Sequence, residues 1–522
     1  MNISEFVSIS SAICPERPAI VFENSSCTFG QLDLRINKLA NALSKLGVKN
    51  GDRIALLQVN SPQCVEVCFA AAKLGAIYLP LNFRAKENEL EYMLNFAGAN
   101  VLFVGERYLS LVDSIRNKLE SVKHYISLDN PHPGMSQYIQ VLYSGSNDDI
   151  NVEVSDDDVA ILMYTAGTTG NPKGVMLQHK SFSGYVLDNV SPPDADVDER
   201  NIITVPLYHV AGIQAVMSAI YGGRTIVMQR QFEAQAWMEL VQKEKVSRAM
   251  MIPTMLKQLM DHPLFFFYNL SSLKVITYGA APMPLTIIKK ALDVFPNVNF
   301  INAFGQTETA ATITMLGPED HVLTGNAAER EIKLRRLASI GKPLADVEMK
   351  VVDRVGDEVP CGIIGEIVAR GPRIMAGYFK DDEKTGQTID KDRWIHTRDM
   401  GYRDADNYFF LCGRATDLIK RGGEYISPDE LENVILTHPK IEDVAVIGIY
   451  DEEWGELPEA ICVLKKGENC SDQEIIEYTR TRLASFKRPR LVIFVDELPR
   501  NTMGKVVKKE LREKYGKKEL VS

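Results

Sequence analysis

Residues Tyr164–Val175 read YTAGTTGNPKGV and follow the apolar run VAILM. Thr165, Gly167, Thr168, Thr169 and Gly170 gather small hydroxyls and flexible backbone in one turn, and Lys173 adds a cation. Backbone N–H groups and hydroxyls converging on one point, with positive charge beside them, suit a phosphate group. An ordinary surface turn has the same composition, and the loop alone does not decide between the two. Its spacing is not that of a Walker A loop, which needs Gly, four residues, then Gly-Lys-Ser/Thr; here Lys173 follows Asn171 and Pro172. A P-loop ATPase is therefore disfavoured.

The loop must be held by strands and helices, and their patterns alternate along the chain. TFGQLDLRINKLANALSKLG carries Leu32, Ile36, Leu39, Leu43 and Leu46 at helical spacing, with Thr28 and Gln31 placed as a capping box and Gly47 as a stop. DRIALLQVN reads as a strand, followed by a helix opened by Ser61 and Pro62. KVSRAMMIP, LKVITYGA and VNFINAFG repeat the pattern of short apolar strands between helices, which predicts an α/β fold with parallel sheets covered on both faces. After about Gly356 the strands CGIIGEIVARG, YFFLCGR and DVAVIGIYD are joined by charged turns, some of them antiparallel. A boundary near Cys412–Gly413 gives two domains, 1–412 and 413–522, the second a small α+β unit of about 110 residues.

Composition sets outer limits. A chain of 522 residues exceeds one ordinary core, and 45% hydrophobic with 25% charged residues is the balance of a soluble globular protein. A net charge of −10 argues against general nucleic-acid binding, although Lys487–Ser522 is locally basic. No apolar run approaches the roughly 18 residues of a transmembrane helix. The N-terminus makes a poor signal peptide, and KKELVS is not a peroxisomal signal. Eight cysteines without paired spacing predict reduced thiols in the cytoplasm, with Cys64 and Cys68 on one helix face as core rather than metal ligands. A homodimer stays open.

Seven segments in order resemble the signatures of the adenylate-forming enzymes, which include acyl- and aryl-CoA synthetases, peptide-synthetase adenylation domains and luciferases. They are YTAGTTGNPKGV, VPLYHVAG, TYGAAPMP, NAFGQTET, WIHTRDMGY, GRATDLIKRGGEYISPDELE and LPRNTMGKVVKKEL. The resemblance covers nearly the whole chain. It implies a luciferase-like fold, a large N-terminal domain of helix-covered sheets with a small mobile C-terminal domain, and the use of ATP, Mg2+ and CoA. Carried onto matching positions, it implies that Thr165, Gly167, Thr168, Thr169, Gly170 and Lys173 hold the β- and γ-phosphates. Ala166 stands where serine is usual, a tuning change. Glu308 is the implied magnesium ligand with Thr165 assisting, and Thr307 touches the α-phosphate. Gly279, Ala280, Ala281, Asn302, Ala303, Phe304 and Gly305 resemble the adenine slot, though core packing is as good a reading of Phe304. Asp399 resembles the carboxylate that accepts both ribose hydroxyls, and Arg414 a second ribose or phosphate contact. Arg398 replaces a usual glycine and puts the local turn in question. Lys505 resembles the lysine that bridges the incoming carboxylate and the α-phosphate.

The second half-reaction requires the C-terminal domain to rotate, by the same resemblance. Gly422 and Gly423 in KRGGEYIS would let the pantetheine arm pass, since a Cβ there would obstruct it. Lys420 and Lys487 would meet the anionic end of CoA. Tyr425 departs from the usual Asn or Gln, and Thr416 from the usual hinge Asp or Lys. His209 in VPLYHVAG is placed beside the acyl channel, as a lining or gating residue in preference to a general base. Val210, Ala211, Gly212 and Ile213, with Ala310, Ala311, Ile313 and Met315, make an apolar pocket for a fatty, aromatic or alicyclic acid. No aspartate for a substrate amine is visible in LYHVAGIQAVM, which disfavours an amino acid. The leading expectation is an acyl-CoA ligase. The alternatives are an acyl-AMP ligase loading a carrier protein and a non-catalytic nucleotide- or acyl-binding relative.

Overall fold

The computed structural model of the chain describes residues 1–150, 152–165, 171–421, 424–501 and 504–516. Local rules set the first elements. Thr28 and Gln31 exchange side-chain and backbone hydrogen bonds in a capping box that opens the helix Phe29–Lys45. Leu32, Ile36, Leu39 and Leu43 are fully buried along one face of it, and Gly47 (φ 89°) ends the run in a left-handed turn. Ser61 stands at the N-cap position without a side-chain capping bond, and Pro62 opens the helix Pro62–Lys73. Cys64 and Cys68 are buried on that helix, and burial pushes both thiols up, Cys64 to about 11.

Two large sheets form the frame. In one of nine strands, Val275–Gly279 is flanked by Arg248–Met251 and Asn299–Gln306, with Arg200–Ile203 and Thr225–Met228 beyond. The other, of eight strands, has Ile77–Pro80, Arg53–Leu57 and Ala99–Val104 at its centre and Val159–Thr165 and Lys173–Gln178 to one side. One hydrophobic cluster joins Ile20 and Ile226 of the first sheet to Ile54 and Val101 of the second through Leu39, Phe69 and Met217 on helices between them. Separate clusters cover the outer faces, around Trp237 and Leu256 on one and Leu90 and Val112 on the other. The expected parallel sheets are thus present at the centre. Consecutive strands joined by short turns break the pattern: Val159–Thr165 with Lys173–Gln178, and Asn299–Gln306 with Ala311–Leu316, are antiparallel.

A four-stranded antiparallel sheet follows, in the order Glu348–Val352, Gly365–Arg370, Ile395–Arg403, Phe409–Arg414. Its anchor to the nine-stranded sheet is the fully buried guanidinium of Arg373, which donates to Asp346 at 2.9 and 2.6 Å and to the carbonyl of Thr312. The last sheet has five strands, beginning with Ile419–Arg421, and carries the helices Pro428–Ile435, Asp472–Arg480 and Lys508–Tyr515. Residues 415–418, with Thr416 among them, connect it to the preceding sheet. Side-chain contacts between this smaller unit and the larger one include Lys257 with Glu442 and Arg354 with the hydroxyl of Tyr425. Among the described residues no helix is long and apolar enough to cross a membrane.

Removing one member of a buried charge pair leaves the other without compensation. Asp346→Ala is expected to destabilise the protein by about 3–5 kcal/mol. Urea unfolding of the variant beside the parent measures it. A change within error would mean that the Arg373 anchor contributes nothing to the docking of the two sheets.

Candidate active site

A cavity of about 3000 Å³ opens between the larger unit and the smaller one and runs into the nine-stranded sheet. Thr165 ends its strand at the rim and stands directly across the hairpin from Lys173. Of the phosphate-loop candidates, Gly167, Thr168, Thr169 and Gly170 lie outside the described residues. Lys173 stacks over the ring of Tyr378 at 5.5 Å. Burial, then the neighbouring cations Lys384 and Arg398, lower its pKa to about 8, while Glu308 opposes the shift.

The strand ends at Gly279 and Gly305 make the slot beside it, and Gly279, Ala280, Ala281, Asn302, Ala303, Phe304 and Gly305 all line the cavity. A Cβ on Gly305 would overlap the carbonyl oxygen of Ala311, and one on Gly279 that of Ala303, so backbone meets backbone here only without side chains. Asn302 donates to the Ser339 carbonyl at 3.1 Å. Phe304 satisfies both readings of it, lining the cavity and packing partly against the core. The turn Thr307–Thr309 is fastened by Thr309, whose buried hydroxyl bridges the carbonyls of Gln306 and Ala311 at 3.1 and 3.0 Å. That turn presents Thr307 and Glu308 to the cavity. Tyr378 donates its hydroxyl to Glu308 at 2.9 Å. The hard, oxygen-only set of Glu308 and Thr165 suits magnesium, which is held by one or two carboxylates together with phosphate oxygens.

Asp399 is aimed by a bulge. Along the strand Ile395–Arg403, His396 pairs with Val368 and Met400 with Glu366, so extra residues bow out of the ladder. Arg398 in the bulge has φ 62°, the left-handed conformation that glycine adopts freely. The arginine therefore keeps the backbone of the residue it replaces, and Glu366 holds it by accepting from the Arg398 amide at 2.9 Å. Asp399 beside it is buried and paired with Arg414 at 2.7 Å across the next strand. Burial raises its pKa, and Arg414 and Lys505 oppose that.

Lys505 reaches this group from more than a hundred residues downstream. A turn places it, with the Asn501 side chain accepting from the Lys505 amide at 3.0 Å and Gly504 in a left-handed conformation (φ 72°). The side chain faces the solvent in the cavity while protein walls surround its ammonium, and that desolvation, followed by Arg414, lowers its pKa against the pull of Asp399, Asp429 and Glu308. His209 precedes the helix Val210–Tyr221 on the opposite wall. Burial, then Lys505 and Arg84, push its pKa down to about 4, so the imidazole is neutral near pH 7 and a weak base.

Some expected residues are elsewhere. Val210, Ala211, Ala311 and Met315 line the cavity, but Gly212 is buried against the backbone of Pro206, and Ile213, Ala310 and Ile313 point into the core. Helix and strand periodicity turns alternate residues of each run away from the pocket. Lys420 and Lys487 do not line the cavity in this posture; Lys487 pairs with Glu430 at 2.7 Å. Gly422 and Gly423 lie outside the described residues. Sequence reasoning missed Arg84, Tyr185, Arg224 and Arg248, all on the cavity wall. One signal was available: Arg248 is a charge at the head of the otherwise apolar segment AMMIP.

Residues 10–379 match the family described as AMP-binding enzyme, and residues 430–505 match the AMP-binding enzyme C-terminal domain. The chain belongs to this family, the adenylate-forming enzymes. It is 31% identical over 521 residues to an indoleacetate–CoA ligase of Aromatoleum aromaticum, covering 99% of each chain. It is 32% identical over 507 residues to a feruloyl-CoA synthase of an Amycolatopsis species, covering 96% of each. Its fold superposes on an anthranilate–CoA ligase crystallised with anthranoyl-AMP with a TM-score of 0.89 and 26% identity, over 98% of this chain and 97% of that one.

Two linked outcomes follow for the free protein. Lys173 should titrate near pH 8, and Arg398→Gly should move that midpoint upward by removing a neighbouring positive charge. The same substitution relieves a left-handed non-glycine residue, worth about 1–2 kcal/mol of added stability. Carbon NMR of reductively methylated lysines and a denaturant melt read the two effects. A midpoint that stays put or falls contradicts the electrostatic assignment.

Proposed function

We propose that the chain is an ATP-dependent acid–thiol ligase, which activates a hydrophobic carboxylic acid as acyl-AMP and passes the acyl group to CoA. One observation carries the reading: Lys505 enters the same cavity as Glu308, Asp399 and Arg414, residues far apart in sequence. A carboxylate is a poor target for a thiolate, because both are anions and oxide is a hopeless leaving group. In the first step a carboxylate oxygen of the acid attacks the α-phosphorus of ATP, and the bond to the pyrophosphate oxygen breaks. Positive charge must offset the crowded oxygens in that transition state. Thr165, the loop through Gly170 and Lys173 hold the β- and γ-phosphates, Thr307 touches the α-phosphate, and Lys505 bridges it to the incoming carboxylate. Glu308, assisted by Thr165, would hold a magnesium ion that supplies further positive charge at the phosphate oxygens. Asp399 accepts the ribose hydroxyls, Arg414 orients it, and the base enters the slot from Gly279 to Gly305.

In the second step the CoA sulfur attacks the acyl carbon, and the carbon–oxygen bond to AMP breaks with its electron pair leaving on AMP. Lys505 is then in the way. The unit from about Gly413 to the C-terminus turns about the connection at Thr416, withdrawing Lys505 and bringing Gly422 and Gly423 beside the thiol. Lys420 and Lys487, which lie off the cavity in the described posture, then meet the anionic end of CoA. Neutral His209 lines the acyl channel with Val210 and Ala211. The named acids of the relatives, indoleacetate, ferulate and anthranilate, all have ring bodies that suit such walls.

Lys505→Ala should lower acyl-AMP formation from acid and ATP by at least about 10²-fold, the scale of losing one positioned charge donor. Pre-made acyl-AMP should still react with CoA at close to the parental rate. Pyrophosphate release and thioester formation, followed separately, provide the two readouts. Equal loss in both half-reactions would reject the two-posture mechanism, and transfer to a carrier protein but not to free CoA would replace CoA as the acceptor.

A further inference from the structure

The cavity does not end in apolar wall. From Gly279 it follows the strand Val275–Gly279 inward, with Val275, Thr277 and Gly279 on the face that alternation directs into the channel. On the neighbouring strand Met250 and Arg248 share that face, and Arg248 is level with Val275. Four residue steps separate the Gly279 level from the Val275 level, a depth of about 13 Å at the usual strand rise. Along the way Met250, Ile203, Ile301 and Met315 keep the wall apolar. At the inner end it turns basic, with Arg248 and Arg224 both on the lining.

The charge there is unevenly placed. Arg224 Nε lies 2.8 Å from one oxygen of Glu199, and Arg248 Nη1 lies 3.2 Å from the other. One carboxylate thus serves two guanidiniums, and it is not among the residues that line the cavity. Arg200 takes both Asp198 and Glu244, at 3.3 and 3.1 Å, so three arginines and three carboxylates balance in number, but of these six only Arg224 and Arg248 line the cavity. All three members are sheltered, with side-chain exposures of 14% for Arg224, 26% for Arg248 and 22% for Glu199. Burial, and then the proximity of Arg248, depress the Arg224 pKa, while Glu199 opposes the shift. Asn201 lines the wall between the two strands, and its buried carboxamide oxygen has no partner; a flip of that amide turns a donor to the same point.

We propose that the acid activated here carries a second carboxylate at the far end of an apolar body, and that Arg224 and Arg248 bind it. Guanidiniums match a carboxylate in a planar, two-pronged geometry, and a dry site makes an unmatched pair costly. An acid with a plain methyl or phenyl end would leave two guanidiniums facing the channel with no anion on that side. The inference rests on the ligase reading and narrows its substrate class to linear or ring-containing dicarboxylic acids whose two carboxylates lie on the order of 13 Å apart.

The test uses the full-length chain with ATP and magnesium. Pyrophosphate release is measured for matched pairs of acids, an α,ω-dicarboxylic acid and the monocarboxylic acid of the same length, over a range of lengths. The expected result is a kcat/KM at least about tenfold higher for the dicarboxylic acid at the best length, as for a site built around a polar group of its substrate. Arg248→Met should reverse the preference, and Glu199→Gln, which uncovers more positive charge without changing shape, should enlarge it. If Arg248→Met does not fold, the parental chain and Glu199→Gln decide the matter. Monocarboxylic acids used equally well or better at every length would overturn the proposal while leaving the ligase reading intact. Failure of every acid to release pyrophosphate would remove both.

Discussion

The arrangement depends on holding charges of both signs in a partly dried cleft without letting them collapse into fixed pairs. Asp399 is nearly enclosed, and Arg414 at 2.7 Å satisfies much of its charge. Lys505 therefore arrives at a carboxylate that is already partnered. Loss of solvent and the nearness of Arg414 outweigh the attraction of Asp399, Asp429 and Glu308, so the ammonium's pKa is lowered. A cation locked in a tight buried ion pair would resist the withdrawal that the proposed second step requires.

Backbone strain accompanies this arrangement. Among the described residues nine non-glycine residues have positive φ, and three of them, Ala280, Ala311 and Arg398, line the cavity. Such conformations persist only where the surroundings over-determine them. Here the fixings are visible. The Thr309 hydroxyl ties the turn beside Ala310, and Glu366 accepts from the amide of Arg398 while also bonding His396 at 2.9 Å. The strain thus fixes the position of Glu308, on a turn between two strands, and of Asp399, at a bulge within one.

Much of the fold was legible because it obeys short-range rules. The capping box at Thr28, the apolar stripe behind it and the short strands around Ile54 and Ile276 follow from spacing alone. The antiparallel edges did not, since alternating apolar runs look alike whichever way their neighbours run. At the site, Thr165, Glu308, Asp399 and Lys505, four of the residues carried by the family resemblance, line one cavity. The apolar lining was read less well. Eight consecutive-looking candidates split between cavity and core, because each strand or helix shows only part of its residues to any one side.

The chain's own letters determined the chemistry on offer: a hydroxyl-rich turn, a carboxylate beside it, one lysine near the end. They also determined the positions that only glycine or a strained substitute can fill, since φ is a property of the local chain. Tertiary structure alone decided which charges share a space. Arg224 and Arg248 each stand at the mouth of a short strand, and Glu199 lies well before both. Only the side-by-side pairing of three strands sets two guanidiniums against one carboxylate at the inner end of the channel. Charge balance depends on distance through space, and a linear sequence does not carry that distance.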